Sequence, residues 1–95
     1  MSYQIEWTRS AAREIRKLPP LVALRIAEGV GELSTTPRPA GCEKLAGHAD
    51  LWRIRFGNYR VIYSVNDHIR VVRVERIADR KDAYRLPITS ETLNA

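Results

Sequence analysis

The sequence predicts an α/β (α+β) protein in which a helical hairpin packs on a mostly antiparallel four-stranded sheet. The chain has 95 residues, 44% of them hydrophobic and 28% charged, which is typical of one small globular domain. In its first half, apolar residues recur every three or four positions on both sides of Pro19-Pro20. In its second half they alternate, so the predicted order is β-α-α-β-β-β.

The first elements are a strand over residues 3–7 and a short helix that ends before Pro19. Tyr3, Ile5 and Trp7 share one strand face. Either Thr8 or Ser10 can cap the helix that follows. The apolar stripe of this helix consists of Ala11, Ile15 and Leu18.

A second amphipathic helix follows, with Pro20 in its first turn. Gly29 and Gly31 either weaken this helix or allow a close contact. Residues 34–41 are predicted as a loop and residues 43–47 as an irregular segment. The apolar stripe of the second helix consists of Val22, Ile26, Val30 and Leu33.

Three strands are predicted over residues 51–56, 59–65 and 69–77, with turns at Gly57-Asn58 and Asn66-Asp67. The core faces of the first two strands carry Trp52, Ile54, Phe56, Tyr59, Val61, Tyr63 and Val65. In the last strand, Val72 and Val74 share one face with Arg70 and Arg76, and Ile69, Val71, Arg73, Glu75 and Ile77 form the other.

We expect a domain over residues 1–86 and a polar tail over residues 87–95. No stretch approaches the roughly 18 apolar residues of a membrane span, so we expect a cytoplasmic protein without a membrane partner. Cys42 is the sole cysteine, and Cys42 with His48 is too few ligands for a structural zinc site. The sequence therefore indicates no metal and no cofactor.

The net charge and the arginine content indicate which kind of molecule the protein binds. Sixteen Lys and Arg oppose eleven Asp and Glu, which gives a net charge of +5. Arginine predominates, and its planar guanidinium donates paired hydrogen bonds to phosphate or carboxylate. The composition favours a nucleic acid or an acidic protein as partner.

The alternation places several arginines opposite the core. Arg53 and Arg55 project from one strand face about 7 Å apart, because a strand rises roughly 3.3 Å per residue. Arg60 follows the next turn and Arg80 follows the last strand. Such a cluster binds an anion, or it is the ordinary solvated face of an antiparallel sheet. Tyr84 comes four residues after Arg80 and could stack on a base there.

Three segments together resemble the RelE/ParE toxin superfamily. They read KLAG at residues 44–47, LWRIRFGNYRVIY at residues 51–63 and RKDAYR at residues 80–85. The family pattern is "KL.G", "yRiR.GdYRviY" and "HRkdvY", and the likeness extends over nearly the whole chain. The combination is specific, whereas GNYRVIY alone mainly encodes a strand-turn-strand core.

The resemblance implies a metal-independent endoribonuclease that enters the ribosomal A site and cuts mRNA by attack of the ribose 2′-hydroxyl. By that resemblance Arg60 and Arg80 hold the scissile phosphate, and Tyr84 stacks beside the cut. Arg53 and Arg55 grip flanking phosphates, and Lys81 and Arg85 join the RNA-binding set. The list of predicted site residues is Arg53, Arg55, Arg60, Asp79, Arg80, Lys81, Tyr84 and Arg85.

The chain departs from the family at the position of the general base. Studied RelE members have lysines where Arg53 and Arg55 stand, and arginine almost never gives up its proton. Asp79 replaces the common His before the final Arg. Asp79 is either the base or a structural residue that pairs with Arg80 or caps the chain.

Two alternatives share this fold: a ParE-like inhibitor of DNA gyrase that cuts no RNA, and an inactive toxin that only binds its antitoxin and helps repress their operon. The ribonuclease and both alternatives imply an acidic, RelB-like antitoxin as partner. They also imply that operator DNA is bound only by the toxin–antitoxin complex. The ribonuclease adds the ribosome and mRNA as partners.

Overall fold

The computed structural model of the protein describes residues 2–47 and 50–79. Over these residues the chain forms two helices and five strands. The element bounds are β1 Gln4–Trp7, α1 Arg9–Arg16, α2 Pro20–Glu32, β2 Glu43–Lys44, β3 Leu51–Phe56, β4 Tyr59–Asn66 and β5 Val71–Asp79.

The five strands form one sheet in the order β1-β5-β4-β3-β2. β1 runs parallel to β5, and the other neighbours are antiparallel. The α+β class and the helical hairpin on one sheet face are confirmed, but the sheet has five strands rather than four. The additional strand is β2, in the segment predicted to be irregular, and its two polar residues are too few to show an alternating pattern.

Thr8 starts the first helix, which resolves the choice between Thr8 and Ser10. Its side chain accepts a hydrogen bond from the backbone N–H of Ala11 at 3.1 Å and donates to the carbonyl of Glu75 at 2.9 Å. One residue therefore caps α1 and ties its start to β5. α2 begins at Pro20, as predicted, where a missing N–H costs no hydrogen bond.

The last strand begins two residues later and ends two residues later than predicted. Arg70 has a φ of 55°, in the left-handed region, so the chain turns there instead of continuing as a strand. Asn66 stabilises this turn because its side-chain oxygen accepts from the backbone N–H groups of His68 and Ile69. Ile69 consequently lies exposed in the turn rather than in the sheet.

A bulge between β4 and β5 changes which β5 residues face the helices. The pairing shifts at Ile62 and Tyr63, so an odd-numbered residue, Ile77, joins Val72 and Val74 in the core. The prediction that Ile77 lies on the face opposite these valines was wrong, since simple alternation assumes an unbroken ladder.

The core lies between the helical hairpin and one face of the sheet. Tyr63 is fully buried, and its hydroxyl donates to the carbonyl of Pro37 at 2.9 Å. Burial raises the pKa of Tyr63 well above its usual range. The buried core residues are Ala11, Ile26, Val30 and Leu33 from the helical side, and Val61, Tyr63, Val65, Val72, Val74 and Ile77 from the sheet.

A polar clamp closes the end of the sheet at the β4–β5 turn. Asp67 accepts two hydrogen bonds from Arg38, at 2.8 and 3.2 Å, and one from the Tyr3 hydroxyl at 2.7 Å. These bonds lower the pKa of Asp67 to about 2. The Arg38 guanidinium also lies 5.2 Å from the ring centre of Trp52. The clamp therefore joins the residue before β1, the loop after α2, β3 and the β4–β5 turn.

No helix in the part of the chain that the structure describes is long and apolar enough to cross a membrane.

Gly29 gives α2 its close approach to the sheet. A Cβ built at Gly29 would lie 2.3 Å from an atom of the Phe56 ring, whereas one at Gly31 would meet nothing within 4 Å. The close-packing interpretation is thus confirmed for Gly29 and not for Gly31.

We expect Gly29→Ala to destabilise the protein by about 1–3 kcal/mol, because it overpacks the contact with Phe56. Gly31→Ala is the matched control and should stabilise α2 by up to about 1 kcal/mol, since alanine is the better helix former. Urea unfolding of both variants measures the two effects. Equal effects of the same sign would contradict this packing.

Candidate functional site

The β3–β4 hairpin positions three of the predicted arginines on the sheet face away from the helices, here called the outer face. Arg55 lies directly opposite Arg60, and Arg53 lies opposite Ile62. Residues opposite one another in an antiparallel pair point to the same face. Because Val61 and Ile54 point into the core, Arg53, Arg55 and Arg60 point away from it.

Glu43 is a site residue that the sequence analysis missed. It lies on β2 opposite Arg53, and its carboxylate accepts hydrogen bonds from Arg53 Nη2 at 2.6 Å and Nε at 3.2 Å. The Arg53 hydrogen bonds lower the pKa of Glu43, the Arg53 charge adds to this, and the Arg60 charge contributes further. Glu43 thus brings a negative charge into the field of two of the arginines.

The Arg53–Glu43 pair can open without a large cost. The side chains are 39% and 64% exposed, and exposed ion pairs contribute little because water screens them. An incoming phosphate could replace the Glu43 carboxylate as the acceptor for Arg53.

Arg55 and Arg60 place like charges directly opposite each other, which destabilises a sheet unless an anion lies between them. The exposed Arg55 donates from Nε to the carbonyl of Gly57 at 2.9 Å. Arg60 is half-buried and has further side-chain interactions. The turn at Gly57, with a φ of 61°, brings the two arginines together.

Asp79 is the last residue of β5 and was expected to lie just beyond the sheet. It lies opposite Tyr59, whereas Arg60 lies opposite Ala78. By this register Asp79 directly follows the Arg60–Ala78 pair at the end of the sheet. The predicted residues Arg80, Lys81, Tyr84 and Arg85, and the domain boundary at residues 86–87, lie outside the described residues.

The outer face also has a buried floor, which includes Leu51, Ile62 and Ala78. Glu75 is buried in it with 4% of its surface exposed. Ser64 donates to Glu75 Oε1 at 3.3 Å, and Glu75 Oε2 has no hydrogen-bond partner among residues 2–47 and 50–79. Burial therefore raises the pKa of Glu75, against the opposing effects of Arg73 and Ser64.

Metal ligands are not grouped in this region. Within residues 2–47 and 50–79, no set of three or more His, Cys, Asp or Glu side chains is placed to hold a metal ion. Cys42 is a free, half-buried thiol. The chemistry that the described residues offer is cationic: several guanidinium groups on one sheet face.

A helical hairpin on one face of the sheet and arginines on the other give this chain the architecture of the RelE toxins. The sequence matches the family described as "ParE toxin of type II toxin-antitoxin system, parDE" over residues 5–84. The chain therefore belongs to this family of toxins.

Similar proteins extend over almost the same length. The Mycobacterium tuberculosis protein named Toxin RelG is 33% identical over 86 residues, covering 90% of this chain and 99% of the relative. The Methanocaldococcus jannaschii protein named Putative toxin RelE1 is 28% identical over 90 residues, covering 92% of this chain and 100% of that one.

Solved structures agree with the fold. The toxin–antitoxin complex RelBE2 of Mycobacterium tuberculosis has a chain with a TM-score of 0.75 and 29% identity, covering 84% of this chain and 100% of that chain. The archaeal RelE–RelB complex from Pyrococcus horikoshii OT3 gives a TM-score of 0.75 and 32% identity, covering 84% and 97%.

The raised pKa of Glu75 makes folding stability depend on pH. Because the folded pKa lies above the unfolded one, the stability that comes from protonated Glu75 is complete below about pH 4 and is lost as pH rises through the folded pKa. We expect Glu75→Gln to melt at a higher temperature than the parent at pH 7.5, with the gain vanishing near pH 4.

The control is Glu32→Gln, at an exposed position on α2. Thermal melts at both pH values measure the effect. A gain from Glu75→Gln that does not change with pH would show that ionisation of Glu75 is not its cause.

Proposed function

We propose that the protein inhibits translation by binding mRNA on the ribosome through its outer face and promoting cleavage of the strand there. The supporting observation is that Arg53, Arg55 and Arg60 share the outer face, with Arg55 directly opposite Arg60. Membership of the toxin family and likeness to RelE toxins support the same function. Arginine suits this role because its guanidinium binds phosphate oxygens in pairs.

The cleavage step needs no metal. The ribose 2′-oxygen attacks the adjacent phosphorus, its proton passes to a base, and the bond from phosphorus to the 5′-oxygen breaks. The leaving 5′-oxygen takes up a proton and becomes a 5′-hydroxyl. Extra negative charge develops on the phosphate oxygens in the transition state, and guanidinium groups already in position stabilise it.

The proposed role of each site residue is the one that the resemblance to RelE toxins implies. Arg60, half-buried on the outer face, holds the scissile phosphate together with Arg80. Arg55 and Arg53 hold flanking phosphates and orient the ribose for in-line attack. Tyr84 stacks on a neighbouring base, and Lys81 and Arg85 contact the RNA backbone.

The attack also needs a group that accepts the proton of the 2′-hydroxyl. Arginine is a poor proton acceptor, which argues against Arg53 and Arg55 in this role. Asp79, the base considered from the sequence, lies opposite Tyr59 at the end of β5. Glu43 is the described carboxylate bonded to Arg53, and its lowered pKa keeps it ionised at neutral pH.

An acidic antitoxin is the partner we infer. Several similar structures are complexes of a RelE toxin with RelB. The net charge of +5 and the arginines of the outer face suit an acidic segment that covers this face. Operator DNA would then be bound by the toxin–antitoxin complex rather than by the toxin alone.

Inhibition of DNA gyrase is the second candidate. The matched family is described by the name ParE, and the Arg53–Glu43 pair removes one cation from immediate use on RNA. A gyrase inhibitor would need a binding surface but no cleavage machinery.

Inducible expression followed by primer extension on mRNA tests the proposal. We expect codon-phased 5′ ends that decrease by about 100-fold or more in Arg60→Ala, since this is the typical effect of removing one transition-state donor. Arg25→Ala, an exposed arginine on α2, is the control and should cut normally. Intact mRNA together with accumulating gyrase–DNA cleavage complexes would establish the second candidate instead.

Glu43 offers a second test. Glu43→Gln removes a negative charge beside Arg53, so we expect a short single-stranded RNA to bind roughly three- to tenfold more tightly at low salt. Glu28→Gln on α2 changes the net charge equally and is the matched control. Fluorescence anisotropy measures both, and an equal gain in the two variants would mean that net charge alone acts.

A further inference from the structure

Helix α2 exposes a row of apolar residues on the side that does not pack on the sheet. Leu21 and Leu24 are 62% and 54% exposed, and Pro20, Ala27 and Gly31 are exposed as well. Pro20, Leu24, Ala27 and Gly31 follow at spacings of four, three and four, which places them along one side of the helix. These four residues and the adjoining Leu21 are here called the α2 ridge. Apolar residues grouped in this way mark an interaction surface, whereas single ones scattered over a surface do not.

The α2 ridge is complementary in shape to a second α2 ridge. Its large residues, Leu21 and Leu24, lie in the first half of the helix, and its small ones, Ala27 and Gly31, lie in the second half. A Cβ built at Gly31 would meet nothing within 4 Å, so the space above this glycine is open. When two such helices lie antiparallel, Leu24 of one copy lies beside Ala27 of the other, and Leu21 lies over Gly31. Each large residue then meets a small one, which allows close packing.

The charges of α2 suit a second copy of the chain better than an acidic protein or an RNA. The charged residues of the helix are Arg25, Glu28 and Glu32, and all three are exposed. Two anions against one cation repel an acidic segment and a phosphate backbone. An antiparallel pair sets the half of α2 that carries Arg25 beside the half of the other copy that carries Glu28 and Glu32. Two copies of a protein with a net charge of +5 can therefore meet here without repulsion between cations.

We propose that two copies of this protein associate through their α2 ridges, packed antiparallel about a twofold axis. In such an interface both copies contribute the same residues, as in most homodimers. The opposite side of α2 packs in the core through Ile26 and Val30, so α2 lies on the other side of the sheet from the outer face. Association therefore leaves the outer face accessible and does not depend on what that face binds. Because one helix from each copy buries a small area, the dimer is weak and its dissociation constant lies in the micromolar range.

The test uses single replacements by glutamine, which leave the net charge unchanged. Leu24→Gln removes a large side chain of the α2 ridge, and Gly31→Gln fills the space that Leu21 of the other copy needs. Ile69→Gln is the matched control, because Ile69 lies in the β4–β5 turn and is 67% exposed, so it removes a similar apolar surface elsewhere. Sedimentation equilibrium of the full chain, from low micromolar to millimolar concentration, measures the dissociation constant of the dimer.

We expect the parent to dimerise in the micromolar range. Leu24→Gln and Gly31→Gln should dimerise at least about tenfold more weakly, since burial of one leucine side chain contributes at least that factor to affinity. Ile69→Gln should dimerise like the parent. Circular dichroism confirms that the variants are folded. As a monomer, Gly31→Gln should melt no lower than the parent, because glutamine is a better helix former than glycine and its Cβ meets no neighbour within 4 Å.

A parent that stays monomeric up to millimolar concentration would overturn the inference. Dimerisation that persists unchanged in Leu24→Gln and Gly31→Gln would place the interface elsewhere. An equal loss in Ile69→Gln would mean that self-association reflects exposed apolar side chains in general. Polyglutamate is the probe for the competing occupant: if the parent is monomeric and Leu24→Gln binds polyglutamate more weakly, the α2 ridge binds an acidic protein and not a second copy.

Discussion

The register of the β3–β4 hairpin determines both the core and the cationic face of this protein. Val61 and Tyr63 are fully buried against the helices, so β4 cannot slip by one residue without exposing them. The same register places Arg55 opposite Arg60 on the outer face. Hydrophobic burial on one side of the sheet thus provides the free energy that holds like charges together on the other.

The arginines divide into two groups by what they contact. Arg76 bonds to Glu14 with side chains only 20% and 23% exposed, and this pair holds α1 to β5. Among the described residues, Arg53 pairs with the exposed Glu43, and water and salt weaken this interaction. This difference explains how a small basic domain can use some arginines for stability and keep others for binding an anion.

Most of the fold could be predicted from the spacing of the apolar residues alone. Apolar and polar residues alternate over residues 51–65, and both helices have regular apolar stripes. Strand β2 and its Glu43 could not be predicted, because two exposed polar residues show no alternation of apolar and polar positions. The bulge at Ile62 and Tyr63 arises from tertiary pairing, and the turn at Arg70 requires a backbone conformation unusual for arginine. The outer-face arginines were predictable as a group, but the carboxylate among them was not.

We propose that Arg53, Arg55 and Arg60 bind one RNA strand as a single site. Arginine side-chain NMR, which observes each Nε–H signal while a short RNA is added, tests this most directly. We expect the three signals to shift together with one dissociation constant, as Arg53 exchanges Glu43 for phosphate. Signals that saturate at different RNA concentrations, or that do not move, would contradict it.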